Sequence, residues 1–224
     1  YFCNMKANEL ISSSIIHLHP DDSGDRAIEM MEEMKVYHLP VVRNNFYLGI
    51  LSESEILSWD SPSEFIHEHL DELSSPSIQA SQHLFDIIEI VEKNSISIIP
   101  VLDEKNLYLG SITNRKLLYT IAKSTVIKSN GSVIVLNIKN TDYSMYEISK
   151  IIESNNAKIL SSYVTSTPEM EYIDVTIKLN TMETNSIIKD LKRFDYNIVA
   201  SYEQKDNQDD FIDRYESLMR FINI

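Results

Sequence analysis

The sequence predicts an α+β chain in which a strand–helix unit occurs twice, followed by a βαββαβ unit and a C-terminal amphipathic helix. Three observations carry this. Tyr37-His38-Leu39-Pro40-Val41-Val42 is echoed by Ser97-Ile98-Ile99-Pro100-Val101-Leu102. Phe46-Tyr47-Leu48-Gly49-Ile50-Leu51-Ser52 is echoed by Leu107-Tyr108-Leu109-Gly110-Ser111-Ile112-Thr113, about 60 residues on. After Gly131 the hydrophobic period changes, and strands of alternating pattern are separated by two helical stretches.

Each copy of the repeat opens with a helix. Ala27, Met30, Met31 and Met34 fall on one helical face in copy one, and Leu84, Ile87, Ile88 and Val91 do so in copy two. Asp22 and Ser81 are the expected N-caps, with Asp25 adding negative charge to the first turn of the earlier helix. A strand ending near the proline, a polar turn and a second strand follow. The one-residue difference between the copies falls in that turn, Arg43-Asn44-Asn45 against Asp103-Glu104-Lys105-Asn106, where an insertion disturbs little. Short helices close the copies, carrying Ile56 and Leu57 in one and Leu117 and Leu118 in the other.

The second half reads in order as a strand (132–138), a helix (143–155) capped by Asp142, a strand (157–165), a half-buried strand (172–179), a helix (182–194) and a closing strand (197–202). This is the ferredoxin-like split βαβ order. In the tail, Phe211, Tyr215, Leu218, Met219 and Ile222 share one helical face behind an acidic start, so the tail should dock on a neighbouring surface. The expected divisions are 1–4 as a tag remnant before a natural start at Met5, 5–61 and 62–124 as the two copies, 131–204 as the βαββαβ unit and 205–224 as the C-terminal helix.

Composition narrows the function classes. The net charge is −14, with 19 acids against 9 bases in residues 5–124, which repels phosphate backbones and argues against nucleic acid. No apolar run approaches the roughly 20 residues that span a bilayer, and the tail has no basic face for membrane adsorption. Cys3 is the sole cysteine and lies in the segment set aside, so disulfide, cysteine–metal and cysteine–nucleophile chemistry drop out and a reducing cytoplasm is the expected location. His17 and His19 alternate along an expected strand, whereas His67 and His69 diverge on an expected helix; neither pair is nominated as a metal site. No phosphate-binding loop, dinucleotide fingerprint or nucleophile elbow occurs, so no catalytic residue is nominated and the chain is read as non-enzymatic.

The capped helix, the apolar strand ending in Pro-Val and the Gly-apolar-apolar-Ser/Thr run before a helix resemble the CBS motif. Gly49 to Leu57 and Gly110 to Leu118 carry the closest match, and Ile15 to Asp22 looks like a CBS entry strand. The resemblance implies that two motifs pack as a pair, with an adenine nucleotide in the cleft of many such pairs: AMP, ADP, ATP or S-adenosylmethionine. A hydroxyl residue and a carboxylate three positions on would hold ligand hydroxyls, and a helix N-terminus would favour phosphate. Transferred by position, Ser52 and Thr113 take the hydroxyl role, Glu55 the ribose carboxylate role and His38 a basic phosphate contact. Lys116 and Ile98 stand where copy two would need the carboxylate and the base, so copy one is expected to supply the ribose contacts. A CBS pair ahead of a βαββαβ unit resembles the CBS–ACT proteins, including those associated with acetoin utilisation. The turn Asn140-Thr141-Asp142-Tyr143-Ser144 lacks the glycine usual at an ACT amino-acid site, which leaves dimerisation as the expected role of that unit. The resemblance therefore implies a regulatory, ligand-sensing homodimer with no required cofactor. The alternative is a structural or dimerisation adaptor whose degenerate CBS pair holds no ligand. No protein target is legible.

Overall fold

The computed structural model describes residues 5–123, 129–165 and 171–203. The chain divides into two compact units, Tyr1–Ser124 and Thr125–Ile224. The expectations for residues 1–4 and for a helix at 205–224 lie outside the described residues. No helix among the described residues is long and apolar enough to cross a membrane.

The first unit begins with the short helix α1 (Ala7–Leu10). Copy one then supplies α2 (Gly24–Met34), β1 (His38–Arg43), β2 (Phe46–Ser52) and α3 (Glu53–Ile56). Copy two supplies β3 (Ile78–Gln79), α4 (Leu84–Asn94), β4 (Ile98–Leu102), β5 (Tyr108–Thr113) and α5 (Asn114–Ala122). The repeat extends to fine geometry. Leu18 bridges Val41 in parallel, just as Ile78 pairs with Val101. Both hairpins are antiparallel, with register breaks at Val41/Val42 and Val101/Leu102. Both long helices end on a left-handed residue, Lys35 and Ser95, whose N–H turns back to the last carbonyls.

The caps fall slightly beyond the expected residues. Ser23 caps α2, because the Asp22 carboxylate instead accepts from His19 N at 2.7 Å and holds the preceding turn. His83 caps α4 in place of Ser81, its ring accepting from Phe85 N at 3.2 Å. The apolar stripes behave largely as the periodicity predicts. Ala27, Met30, Met31, Leu84 and Ile87 are buried, while Ile88 is 37% exposed and partly buried Ile90 packs on the core in addition to Val91. In place of a helix, His67 lies in a 3-10 turn (Ile66–Glu68) and His69 between that turn and a second one (Leu70–Glu72). There His69 stacks on Trp59 with ring centroids 4.0 Å apart and reaches Glu64 at 2.8 Å.

The copies share one core, which contains Leu18, Met31, Leu39 and Ile50 from one and Ile78, Leu84, Ile98 and Ile112 from the other. Each side chain contributes roughly 1.5–3 kcal/mol on leaving water. The segment before each copy crosses to the other. Ser12 N donates to Ser111 O at 2.9 Å, and Ile50 N donates to Ser74 O at 2.8 Å. Gly49 and Gly110 permit these crossings: an added methyl would stand 2.6 Å from Leu73 Cβ at one and 2.5 Å from Ile11 Cγ2 at the other. The crossing of Ile11–Ser12 onto copy two places a serine run beside α5.

The second unit is a four-stranded antiparallel sheet in the order β7–β8–β6–β9. Its elements run β6 (Ser132–Lys139), α6 (Met145–Ser154), β7 (Ile159–Thr165), β8 (Tyr172–Leu179), α7 (Asn185–Arg193) and β9 (Asn197–Glu203). Ser144, not Asp142, is the N-cap of α6, because Asn140–Asp142 form a 3-10 turn first. Ile148, Ile152, Ile187 and Leu191 from the helices meet Ile134, Leu136, Val175 and Ile177 on one sheet face. This is the ACT-like βαββαβ fold.

Candidate functional site

Ser52, Glu55 and His38 come together in copy one because β1 and β2 pair with His38 opposite Ser52. Ser52 is buried and caps α3, its Oγ accepting from Glu55 N at 3.1 Å. Glu55 Oε2 in return accepts from Ser52 N and from Ser52 Oγ, each at 2.6 Å. This is a closed capping box. It occupies one carboxylate oxygen, while Oε1 has no hydrogen-bond partner among the described residues. The His38 ring crosses to copy two: Nδ1 lies 3.1 Å from Ser97 Oγ and accepts from Ser97 N at 3.2 Å. Burial pushes its pKa below the ordinary 6.5, and the nearby Glu55 carboxylate only partly opposes this. At neutral pH His38 is therefore uncharged, with its proton on Nε2. It offers a ligand one neutral donor where the sequence suggests a cation.

Thr113 takes the equivalent place at the end of β5 and caps α5, accepting from Lys116 N at 3.0 Å. With lysine three positions on, no carboxylate closes the box, and the threonine hydroxyl proton remains available. Beside it lies a cavity of about 760 Å³. Ser12, Ser13, Ser14, Thr113, Arg115 and Lys116 give it polar walls, and Ile11, Leu118, Tyr119 and Ala122 give it apolar ones. Of the four residues singled out from sequence, Thr113 lines this cavity. Ser52, Glu55 and His38 do not.

The two copies differ in charge at the helix that follows the hydroxyl residue. Copy one has Glu53 and Glu55 in the first turn of α3, which complement the positive end of the helix dipole. Copy two has no acid in the first turn of α5 and has Arg115 and Lys116 there instead. Neither cation has an acidic partner among the described residues. Two cations added to a positive helix end destabilise the empty arrangement and favour an anion.

Sequence reasoning missed Arg115 and the serine run. The first had a signal: cations at a helix N-terminus oppose the dipole and need a reason. The second had a weaker one, a hydroxyl run before the entry strand echoed by Ser74-Ser75 before copy two. The remaining histidines are dispersed. His17 packs edge-on against Tyr108, and His19 lies 3.3 Å from Asp21. Among the described residues no group of three or more His, Cys, Asp or Glu is placed to hold a metal.

Comparison with known proteins agrees with the repeat. Residues 7–61 and 72–123 match the family model of the CBS domain. The chain is 27% identical over 116 residues to an inosine-5'-monophosphate dehydrogenase of Methanocaldococcus jannaschii, covering 50% of this chain and 23% of that protein. It is 30% identical over 118 residues to a homoserine O-acetyltransferase of Methanocorpusculum labreanum, again 50% of this chain and 23% of the relative. The chain thus spans about a quarter of the length of these two relatives. Among solved structures, a CBS domain pair/ACT domain protein of Thermotoga maritima is 14% identical, covers 54% of this chain and 99% of its own, and has a TM-score of 0.47.

Proposed function

This chain is a CBS-domain-pair protein with an ACT-like second unit, and from that premise we propose that it is a non-catalytic regulator that senses a phosphate-bearing adenine ligand in the cavity at Thr113. The observation that carries the proposal is the pair of cations, Arg115 and Lys116, at the N-terminus of α5 beside that cavity, which have no acidic partner among the described residues. The walls suit the two halves of such a ligand. Ser12 to Ser14, Thr113 and the two cations provide donors for phosphate, and Ile11, Leu118 and Tyr119 offer apolar surface for a base.

Charge orders the ligands. AMP, ADP and ATP bring increasing negative charge to two cations and a helix end, so affinity rises along that series. S-adenosylmethionine carries a sulfonium cation in place of phosphate and binds more weakly. A ligand that binds only the folded chain raises its melting temperature by mass action. A thermal-shift screen with AMP, ADP, ATP, S-adenosylmethionine and amino acids tests the reading. It expects shifts for the nucleotides that Lys116→Ala diminishes. Equal shifts for the parent and Lys116→Ala would refute it.

A second reading places the ribose contacts in copy one, on Ser52 and Glu55 with His38 near the phosphates. It is favoured by Glu55 Oε1, a carboxylate oxygen without a partner among the described residues. Under either reading the protein works as a homodimer in the cytoplasm and requires no resident cofactor.

A further inference from the structure

Asn130-Gly131 is the one Asn–Gly pair in the chain, and it lies just ahead of β6. The glycine is required there. Its φ is +153°, and a Cβ on it would run into Leu179 O. The chain on either side of the pair is held differently. Ser132 is fixed by its N–H and its hydroxyl, which donate to Thr181 O at 2.9 and 2.7 Å. Gly131 O accepts from Lys178 Nζ at 3.2 Å. Asn130 is exposed and outside any helix or strand, and neither its side chain nor Gly131 N has a hydrogen-bond partner among the described residues.

We propose that Asn130 is a site of spontaneous deamidation. Gly131 N attacks Cγ of Asn130. The N–Cγ bond forms, the amide proton passes through solvent to Nδ2, and the Cγ–Nδ2 bond breaks, releasing ammonia and leaving a five-membered succinimide. Water then opens the ring. Opening at Cγ returns the original backbone with an aspartate, and opening at the main-chain carbonyl carbon leaves an isoaspartate. One amide and one water become one carboxylate and one ammonium ion, so no oxidant or cofactor is consumed. Three features promote the step. No side chain on residue 131 shields its nitrogen. The two reacting groups belong to adjacent residues, so only torsions of the exposed asparagine have to turn. The Lys178 ammonium, fixed on the next carbonyl, favours the negative charge that the attacking nitrogen carries. Other asparagines lack this combination. Asn137 donates to Asp174 Oδ1 at 2.7 Å inside the paired β6, and exposed Asn44 is followed by Asn45, whose side chain crowds the nitrogen. The conversion puts a negative charge, and in the isoaspartate an extra main-chain methylene, immediately before β6.

The test holds the full chain in mildly alkaline buffer at body temperature for weeks and digests samples with trypsin in heavy-oxygen water, which marks any conversion during work-up. The tryptic peptide 129–139 contains both Asn130 and Asn137, so fragmentation compares them within one molecule. A gain of one mass unit is expected at Asn130, as aspartate and isoaspartate, several-fold faster than at Asn137 or Asn44. It should be absent from Asn130→Gln and several-fold slower in Lys178→Gln. No gain at Asn130 in the parent, or a gain no faster than at Asn44, would overturn the proposal. Equal rates in the parent and Lys178→Gln would overturn the part given to the ammonium.

Discussion

Replacing Glu55 with alanine separates the stabilising role of that residue from a ligand-binding one. Its Oε2 holds both the backbone N–H and the hydroxyl of Ser52 at 2.6 Å, and Ser52 is buried. The substitution leaves the Ser52 N–H without its acceptor at the junction of β2 and α3. The cap contributes about 1 kcal/mol, and hydrogen bonds to a charged group about 1.5–3 kcal/mol each where water is excluded. Glu55 is only half-buried and Ser52 Oγ keeps Ser54 at 3.0 Å. A net loss of about 1–2 kcal/mol is therefore expected. In a unit of this size that corresponds to a fall of roughly 3–8 °C in melting temperature. Thermal denaturation followed by circular dichroism measures it, with Glu55→Gln recovering part of the loss by retaining an acceptor. A melting temperature for Glu55→Ala within a degree of the parent would refute the capping argument. Calorimetry on the same variant separates the two ligand readings. The cavity reading expects nucleotide affinity close to that of the parent, whereas ribose contacts in copy one require about a tenfold or greater loss.

The other expectations concern the copy-two crossing, the buried histidine and association. Gly110→Ala forces a side chain onto a residue at φ +149° and against Ile11. The backbone strain costs roughly 1–3 kcal/mol, and the displaced Ile11–Ser14 segment should weaken nucleotide binding as well; thermal melts and titration of that variant check both. His38 has a depressed pKa in the fold, so the unfolded chain takes up a proton first as pH falls below 6.5. Its contribution to stability is full above 6.5 and declines as pH falls towards the folded value. Melting temperatures across pH 5–8 should therefore fall less steeply for His38→Asn than for the parent, and parallel curves would contradict this. Sedimentation at micromolar concentration should show a homodimer, and monomer alone would refute that part of the proposal.

The fold was legible where physical constraints repeat. Gly49 and Gly110 recur because each copy needs the same close crossing by a neighbouring segment, and Pro40 and Pro100 recur at matching places inside β1 and β4, which run on past the prolines where the sequence suggested that the strands end. The strands of the second unit were legible because Ile173, Val175, Ile177 and Leu179 alternate with polar residues on a sheet with one buried face. Cap positions were less so. Asp22 and Ser23 are both competent caps, and the hydrogen bond from His19 that removes Asp22 from that role depends on a turn that composition does not specify. The candidate site was legible only as a set of residue types. The pairing of His38 with Ser97, 59 positions away, depends on how the copies pack, and it is this contact that makes the imidazole a neutral donor. The cavity escaped notice for the same reason, because Ser12 to Ser14 reach Thr113 only through the crossing of one copy's leader onto the other.

Titration calorimetry of the parent and of Lys116→Ala with ADP reads the phosphate contact at the N-terminus of α5 directly. Lys116 is half-buried at the mouth of a positive helix end and faces the cavity, so a phosphate held there should lose about tenfold in affinity when the ammonium is removed. Saturable binding by the parent and about tenfold weaker binding by the variant are expected. No detectable binding of ADP by the parent, or equal affinity in the two proteins, would contradict that contact.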